Sequence, residues 1–376
     1  MPELERSRSA ELEARLRDLP GERERRAALL ACGIPPELGA FLGEVRSGPE
    51  GWLDRSLRAL GSAALGDPRR SARALAGALV GSPDVFAHPG TIEALVELTG
   101  SSDWAARLLV ATPELVRDIC RDPLAAEGRA PPSASDRYPD VVGALVRAAA
   151  GDVELFDAGL RRLRAQAALR IALRELRGAD IRSTAAELSD LASAALDGAL
   201  AFHRPRLEAE VGKLDPPCRQ LVIGLGKLGG RELNFSSDID VLYAYEHDEG
   251  GAGPLSPHEF HVRLFERVTS SLSRVTEDGR VFRVDIDLRP EGRTGTLCNS
   301  LASLERYYET WGRTWERAAW IKARPVAGDL DLFDEVVRFA RPFVYRRTRD
   351  LAAVEGVVRM KAQIDAQRRR VRIGAG

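Results

Sequence analysis

Residues 221–246 read LVIGLGKLGGRELNFSSDIDVLYAYE, and this stretch decides the fold of the chain. It begins with a short apolar run typical of a buried strand, passes through a glycine-rich turn and a polar segment, and ends in a second apolar run. The second strand opens on Asp238 and Asp240, which flank Ile239. A glycine-rich loop beside two carboxylates on one strand predicts a site for a nucleotide and a metal ion.

The rare residue types of the chain point to the same stretch. Among 376 residues only four are lysine and two are asparagine, and Lys227 and Asn234 both lie here. The formal net charge of −1 calls for no polyanionic partner such as a nucleic acid. Scattered cysteines without a CxxC pair, no apolar run of membrane-spanning length and no signal-peptide core together favour a cytoplasmic protein without a membrane partner.

The patterning divides the chain into five segments. We expect an N-terminal helical region over 1–121, a linker rich in proline, glycine and serine over 122–140, and a helical segment over 141–200. A mixed α/β catalytic domain follows at 201–330, and 331–376 is expected to start a further helical region that is truncated. The predicted fold class is therefore α+β, with a mixed sheet flanked by mainly helical regions.

Local signals place individual elements within these segments. Thr184 and Glu187 form a capping-box pattern that predicts the start of a helix. The sequence VFRVDIDL at 281–288 predicts a third strand. Leu301–Arg324 is predicted to be helical with an interruption at Gly312.

The glycine loop formally matches a dinucleotide-binding fingerprint. Gly224, Gly226 and Gly229 have the required spacing, and Glu246 lies where a ribose-binding acid is expected. However, only residues 230–237 separate the last glycine from the next strand, whereas a parallel crossover needs roughly a dozen residues. The spacing therefore excludes a dinucleotide-binding fold, and the loop also lacks the GxxxxGK[ST] pattern of a Walker P-loop.

The acidic residues fit a metal site better. Asp238 and Asp240 share one face of their strand, because alternate residues of a strand point the same way. Asp285 and Asp287 repeat this arrangement on the third strand. Two such strands side by side would gather three or four carboxylates around Mg²⁺ or Mn²⁺, an arrangement that serves in-line displacement at phosphorus. An isolated DxD is more often a pair of solvated residues, but the loop and the second acidic strand favour the metal site.

Basic residues around the loop are candidate phosphate contacts. Lys227 lies within the glycine loop, where Gly229 and Gly230 permit a close approach of the backbone. A further basic series follows on the predicted 301–324 segment and fits a solvated helix face equally well: Arg313, Arg317, Lys322 and Arg324. No GxSxG motif occurs, so a serine hydrolase has no support.

Three motifs carry a resemblance to a known family. They are GLGKLGGRELNFSSDIDVLYAYE at 224–246, FRVDIDLRPEGRTGTL at 282–297 and YETWGRTWERAAWIKARPVAGD at 308–329. In these motifs the chain resembles the bifunctional glutamine synthetase adenylyltransferase/adenylyl-removing enzymes of the polymerase-β-like nucleotidyltransferase superfamily. The resemblance implies a polymerase-β-like nucleotidyltransferase core.

The sequence ELNFSSDIDV at 232–241 resembles that of the N-terminal, deadenylylating copy of the two catalytic domains in that family. The resemblance implies metal-dependent phosphorolytic removal of AMP from a tyrosine of glutamine synthetase, with release of ADP, in the regulation of nitrogen assimilation. It also implies glutamine synthetase, the PII signal protein, ATP or ADP, and phosphate as partners.

The resemblance also assigns site residues. Metal-binding and catalytic roles fall on Asp238, Asp240 and Asp285. Nucleotide- or phosphate-binding roles are expected for a larger set: Gly226, Lys227, Gly229, Gly230, Asn234, Ser236, Ser237, Arg289, Arg317 and Lys322.

Two departures from the family pattern affect these expectations. Asp287 lies where the family more often has arginine, so it either adds a carboxylate or removes a basic contact. The chain carries one catalytic copy and ends within a family segment, which we interpret as a fragment of a longer protein. Two alternative functions remain open: adenylylation of glutamine synthetase or another protein with ATP, and a non-catalytic domain that binds nucleotide or PII.

Overall fold

The computed structural model describes residues 90–120 and 134–345, together with seven isolated positions between 59 and 78. Most of the N-terminal region before residue 90, most of the predicted linker and the chain after residue 345 lie outside the described residues. The predicted domain boundaries therefore remain predictions.

The chain forms two compact units. The first contains the described residues 90–120 and 165–184, and the second contains 134–164 and 185–345. The described helices before the sheet are α1 (Thr91–Ser101), α2 (Asp103–Ala111), α3 (Glu114–Cys120), α4 (Ala134–Ala149), α5 (Val153–Leu176) and α6 (Ile181–Val211). In the described part of the chain, no helix combines the length and apolar character needed to cross a membrane.

The first unit is helical. Ile92, Leu95 and Leu98 of α1 are almost completely buried. The guanidinium of Arg177, directly after α5, donates to the carboxylate of Glu97 at 2.9 Å. This hydrogen bond connects the end of α5 to α1.

Helix α6 begins three residues earlier than its predicted capping box. The backbone N–H of Ser183 donates to the Asp180 side chain at 3.2 Å, so Asp180 serves as the cap. Thr184 instead lies inside the helix and donates its hydroxyl to the Ile181 carbonyl, while Glu187 accepts a hydrogen bond from Tyr138. The capping-box prediction is wrong because an aspartate upstream provides the cap.

The second unit contains the mixed sheet. Its elements are β1 (Gln220–Gly224), α7 (Gly226–Gly229), β2 (Ile239–Tyr245), α8 (Pro257–Ser273), β3 (Val284–Asp285), β4 (Cys298–Ser300), α9 (Leu301–Thr310), α10 (Thr314–Trp320), β5 (Arg324–Gly328) and α11 (Leu332–Val344). The strand order is β3-β2-β1-β5. Strand β3 pairs with the first residues of β2, and β4 pairs with the last residues of β2. Strand β1 is antiparallel to β2 and β5, whereas β3 and β4 are parallel to β2. The predicted α+β class with a mixed sheet is confirmed.

Helices cover both faces of this sheet. Leu221, Ile223 and Leu242 belong to one buried cluster with apolar residues of α9 and α11. On the opposite face Tyr243 stacks on Phe265 of α8, with ring centroids 4.3 Å apart. The antiparallel pairing of β1 and β2 confirms that the short spacer excludes a dinucleotide-binding fold.

Two predicted elements after β2 fold differently from the prediction. The third strand is two residues long rather than eight. Leu301–Arg324 is interrupted near Gly312 as predicted, but it ends in a strand, because Arg324 opens β5 on the far edge of the sheet. The arginines at 313, 317 and 324 therefore do not share one helix face.

Gly229 is the tightest point between α7 and the segment before β5. A Cβ atom at Gly229 would overlap the backbone carbonyl oxygen of Lys322, and neither backbone can move aside without shifting a strand. We expect Gly229→Ala to lower the free energy of unfolding by about 2 kcal/mol, as overpacking does in well-packed cores. Urea denaturation measures this, and Gly143→Ala in α4, where the added Cβ meets only an arginine side chain at 3.4 Å, is the control and should not lower stability, because alanine favours a helix interior over glycine.

Candidate active site

The acidic residues meet where β2 and β3 run side by side. Asp240 of β2 and Asp285 of β3 are direct partners in the parallel register, and Asp238 immediately precedes β2. The backbone supports this arrangement, because the Ile239 N–H donates to the Arg283 carbonyl and the Leu225 N–H to the Asp240 carbonyl, both at 2.9 Å. The two acidic motifs that lie far apart in sequence are thus brought together.

The burial and crowding of these carboxylates change the pKa of Asp240. Its pKa is raised to about 6, first by burial and then by the negative charges of Asp285 and Asp238, while Lys227 opposes the shift. A divalent cation would relieve both causes, because it compensates the lost solvation and neutralises the repulsion. The donor set is all carboxylate oxygen, which suits Mg²⁺ or Mn²⁺.

The glycine loop supplies room for Asp240. Gly226 begins α7 with φ of +51°, a conformation that favours glycine. A Cβ atom at this position would overlap the Asp240 carboxylate oxygen Oδ2. Gly226 therefore lets the carboxylate lie directly against the loop backbone.

Lys227 and the turn before β2 lie beside this loop. The Lys227 ammonium is 3.4 Å from the Ser237 hydroxyl oxygen. Asn234 organises the turn, because its side-chain oxygen accepts hydrogen bonds from Ser237 at 2.7 Å and Ser236 at 3.3 Å. Four of the sequence-predicted polar residues are thus gathered next to the carboxylates.

Arg283 is a site residue that the sequence analysis missed. Its guanidinium forms an ion pair with the Asp238 carboxylate. In the described part of the chain, no three acidic, histidine or cysteine side chains are close enough together to hold a metal ion as they lie. The Asp238 carboxylate is engaged by Arg283 instead. The signal available in the sequence was an arginine adjoining the second acidic motif.

Three other predicted contact residues have partners within the chain, and their phosphate contacts stay predictions. Arg289 is buried, and its guanidinium donates to backbone carbonyls of its own loop, as at Ile286 with a distance of 2.8 Å. Arg317 lies over the Phe343 ring at 5.4 Å from the centroid. Lys322 pairs with Glu232 at 2.5 Å near the loop.

The remaining loop residues are held by packing. Gly230 faces the Lys322 side chain, where an added Cβ would lie 3.0 Å from its Cδ. Arg324 donates to the Leu228 carbonyl at 3.2 Å and to the Gly229 carbonyl at 3.4 Å. Arg324 therefore fixes the end of α7, a role its position at the start of β5 allows.

Comparison with known proteins agrees with this geometry. Residues 92–338 match the model of the family described as glutamate-ammonia ligase adenylyltransferase. A protein of Thioalkalivibrio sulfidiphilus named bifunctional glutamine synthetase adenylyltransferase/adenylyl-removing enzyme is 39% identical over 76% of this chain and 30% of its own length. Proteins of the same name from Burkholderia pseudomallei and Pseudomonas aeruginosa are each 44% identical over 56% of this chain, and over 24% and 22% of their own lengths. The chain thus spans less than a third of these relatives.

Proposed function

The chain belongs to the glutamate-ammonia ligase adenylyltransferase family, and we propose that it removes AMP from adenylylated glutamine synthetase by phosphorolysis. The observation that carries the proposal is the register pairing of Asp240 with Asp285, with Asp238 just before the same strand, beside the loop of Gly226 and Lys227. Carboxylates crowded next to a lysine and a serine turn suit the transfer of a nucleotidyl group. The sequence ELNFSSDIDV, which resembles the family's deadenylylating copy, supports removal of AMP rather than its addition.

The metal would be held by Asp238, Asp240 and Asp285, and Asp238 would exchange Arg283 for the ion. A divalent ion bound there supplies positive charge that stabilises the developing negative charge on the phosphoryl oxygens. Lys227 adds a positive charge on the loop side, where Ser237 and Asn234 hold the adjoining turn.

The proposed reaction is an in-line displacement. An oxygen of orthophosphate forms a bond to the phosphorus of the AMP group, and the bond from that phosphorus to the tyrosine oxygen breaks. The proton of hydrogen phosphate passes to the tyrosine oxygen. The products are ADP and the unmodified tyrosine, so atoms and charge balance. The residues of the site would position and neutralise the phosphoryl group, which is the main contribution of a protein to this chemistry.

We infer that the activity serves the control of glutamine synthetase in nitrogen assimilation, with PII as the regulatory partner. This inference rests on the family and on the names of the relatives, which mention glutamine synthetase. The same carboxylates and loop would also support adenylylation with ATP, because forward and reverse transfer share a transition state.

Product analysis separates these functions. The chain is incubated with Mg²⁺ or Mn²⁺ and adenylylated glutamine synthetase, with and without orthophosphate. The proposal expects ADP only when orthophosphate is present. ATP consumption with the unmodified synthetase would instead establish adenylylation, and nucleotide binding without any product would establish a regulatory domain.

A further inference from the structure

The loop after β3 is fixed from within by Arg289. Only 8% of this residue is exposed, and its guanidinium donates to three backbone carbonyls. The acceptors are Ile286 at 2.8 Å, Gly295 at 3.2 Å and Arg293 at 3.3 Å. A buried arginine used in this way makes the loop rigid, because each donor would be unsatisfied if the loop opened.

Arg293 lies on the surface, but its backbone and its side chain each form a hydrogen bond within the loop. Its backbone carbonyl accepts from Arg289, and its side-chain Nε donates to the Asp287 carboxylate at 2.8 Å. Its side chain is nevertheless 86% exposed. Within the described residues, its side chain donates its hydrogen bond from Nε and not from the two terminal amino groups. The pair of donors that an arginine offers to an oxyanion is therefore presented to solvent beside Asp287.

This guanidinium lies next to the carboxylate site. The Asp287 N–H donates to the Asp285 carboxylate at 2.8 Å, so Asp287 links Arg293 to Asp285. The hydrogen bond that Arg293 donates to the Asp287 carboxylate is the first cause of a raised pKa of Arg293, followed by the charges of Asp287 and Asp285. Arg293 thus lies within the field of the residues that would hold the metal ion.

We propose that Arg293 binds a phosphate group beside the carboxylate site, and that Asp287 is the positioning residue that aims it. The ligand is a phosphate oxyanion, taken by the two terminal amino groups as a bidentate pair. This inference rests on the proposed function and deepens it, because phosphorolysis needs a site for orthophosphate beside the AMP group.

The inference also gives a role to the unusual residue at 287. An aspartate in place of the family's arginine removes a positive charge from the segment after β3, but Asp287 binds Arg293, whose side chain restores a positive charge there. Asp287 thus orients Arg293, while Asp285 faces Asp240.

The test compares variants of the full chain in the phosphorolysis assay. We expect Arg293→Gln to raise the KM for orthophosphate about tenfold to a hundredfold, as loss of a charge-assisted hydrogen bond predicts, with the KM for adenylylated glutamine synthetase within twofold of the wild type. Asp287→Asn should move the same constant in the same direction by a smaller factor. Arg280→Gln, an exposed arginine in the turn before β3, is the charge-matched control and should change neither constant.

The arms of the test distinguish the source of the phosphate. If only the KM for the adenylylated synthetase rises, Arg293 binds the phosphate of the AMP group rather than orthophosphate. Unchanged constants in Arg293→Gln, or equal changes in Arg280→Gln, would overturn the inference and leave Arg293 as a solvated surface residue.

Direct binding separates failure of this inference from failure of the proposed function. Equilibrium dialysis with radiolabelled orthophosphate and Mg²⁺ should show weaker binding to Arg293→Gln than to the wild type by the same factor as the KM. If the wild-type chain releases no ADP, the proposed function fails, and dialysis alone decides on Arg293: equal binding to both proteins overturns the inference.

Discussion

Replacing Asp240 with asparagine is expected to slow AMP removal on the order of a thousandfold while leaving the protein folded. Asparagine keeps the shape of the side chain but has no charge with which to hold a divalent ion opposite Asp285. The carboxylate that is lost is the most perturbed acid of the site, with its pKa raised to about 6 by burial and by Asp285 and Asp238.

The same substitution should raise stability. The unfolded chain loses the Asp240 proton near the ordinary pKa of 3.8, whereas the folded chain holds it to about 6. The ionised carboxylate therefore opposes folding, and this penalty develops between these two values and is complete above pH 6. We expect a gain of about 1 kcal/mol at pH 7.5 without metal, since solvent screens the exposed part of the carboxylate.

Urea denaturation and initial rates on the same preparations check both halves of this prediction. Asp278→Asn, an exposed acid in the turn before β3, is the matched control and should leave rate and stability unchanged. Added Mg²⁺ should stabilise the wild type more than Asp240→Asn. Loss of activity accompanied by loss of stability would show that Asp240 has a structural role instead.

Gly226→Ala should lower the rate more than a hundredfold. The new Cβ would overlap the Asp240 carboxylate oxygen and push the side chain away from Asp285. A small displacement of a group that holds the reacting phosphate costs this much when catalysis depends on positioning. The backbone also has a φ of +51°, which costs alanine about 1 kcal/mol of stability.

A second glycine separates the clash from the backbone strain. Gly279 has a φ of +86°, but an added Cβ there meets nothing within 4 Å. Gly279→Ala should therefore lose a similar amount of stability and keep its activity. Equal rates for the two variants would refute the close approach of Asp240 to the loop.

The sequence was sufficient for features set by local pattern and spacing. The eight-residue spacer between the loop and Asp238 is too short for a parallel crossover, and β1 and β2 are indeed antiparallel. The two acidic motifs were expected side by side, and the register of Asp240 with Asp285 has that arrangement.

Features that depend on distant partners escaped the sequence. Strand β5 contains a proline and an arginine and lacks alternation, so its strand conformation follows from pairing with β1 at the sheet edge. Arg283 and Arg324 look like any other arginine in a chain rich in them, and only folding reveals their partners, Asp238 and the end of α7. Arg289 lies buried in its own loop, a placement that the sequence did not predict, and its phosphate contact stays a prediction.

The fate of the phosphate label tests the proposed chemistry most directly. Adenylylated glutamine synthetase is incubated with the chain, Mg²⁺ and radiolabelled orthophosphate, and the nucleotide products are separated. Phosphorolysis predicts ADP with the label in its β-phosphate, formed in step with the loss of AMP from the synthetase. Release of unlabelled AMP, or retention of AMP on the synthetase, would contradict the account.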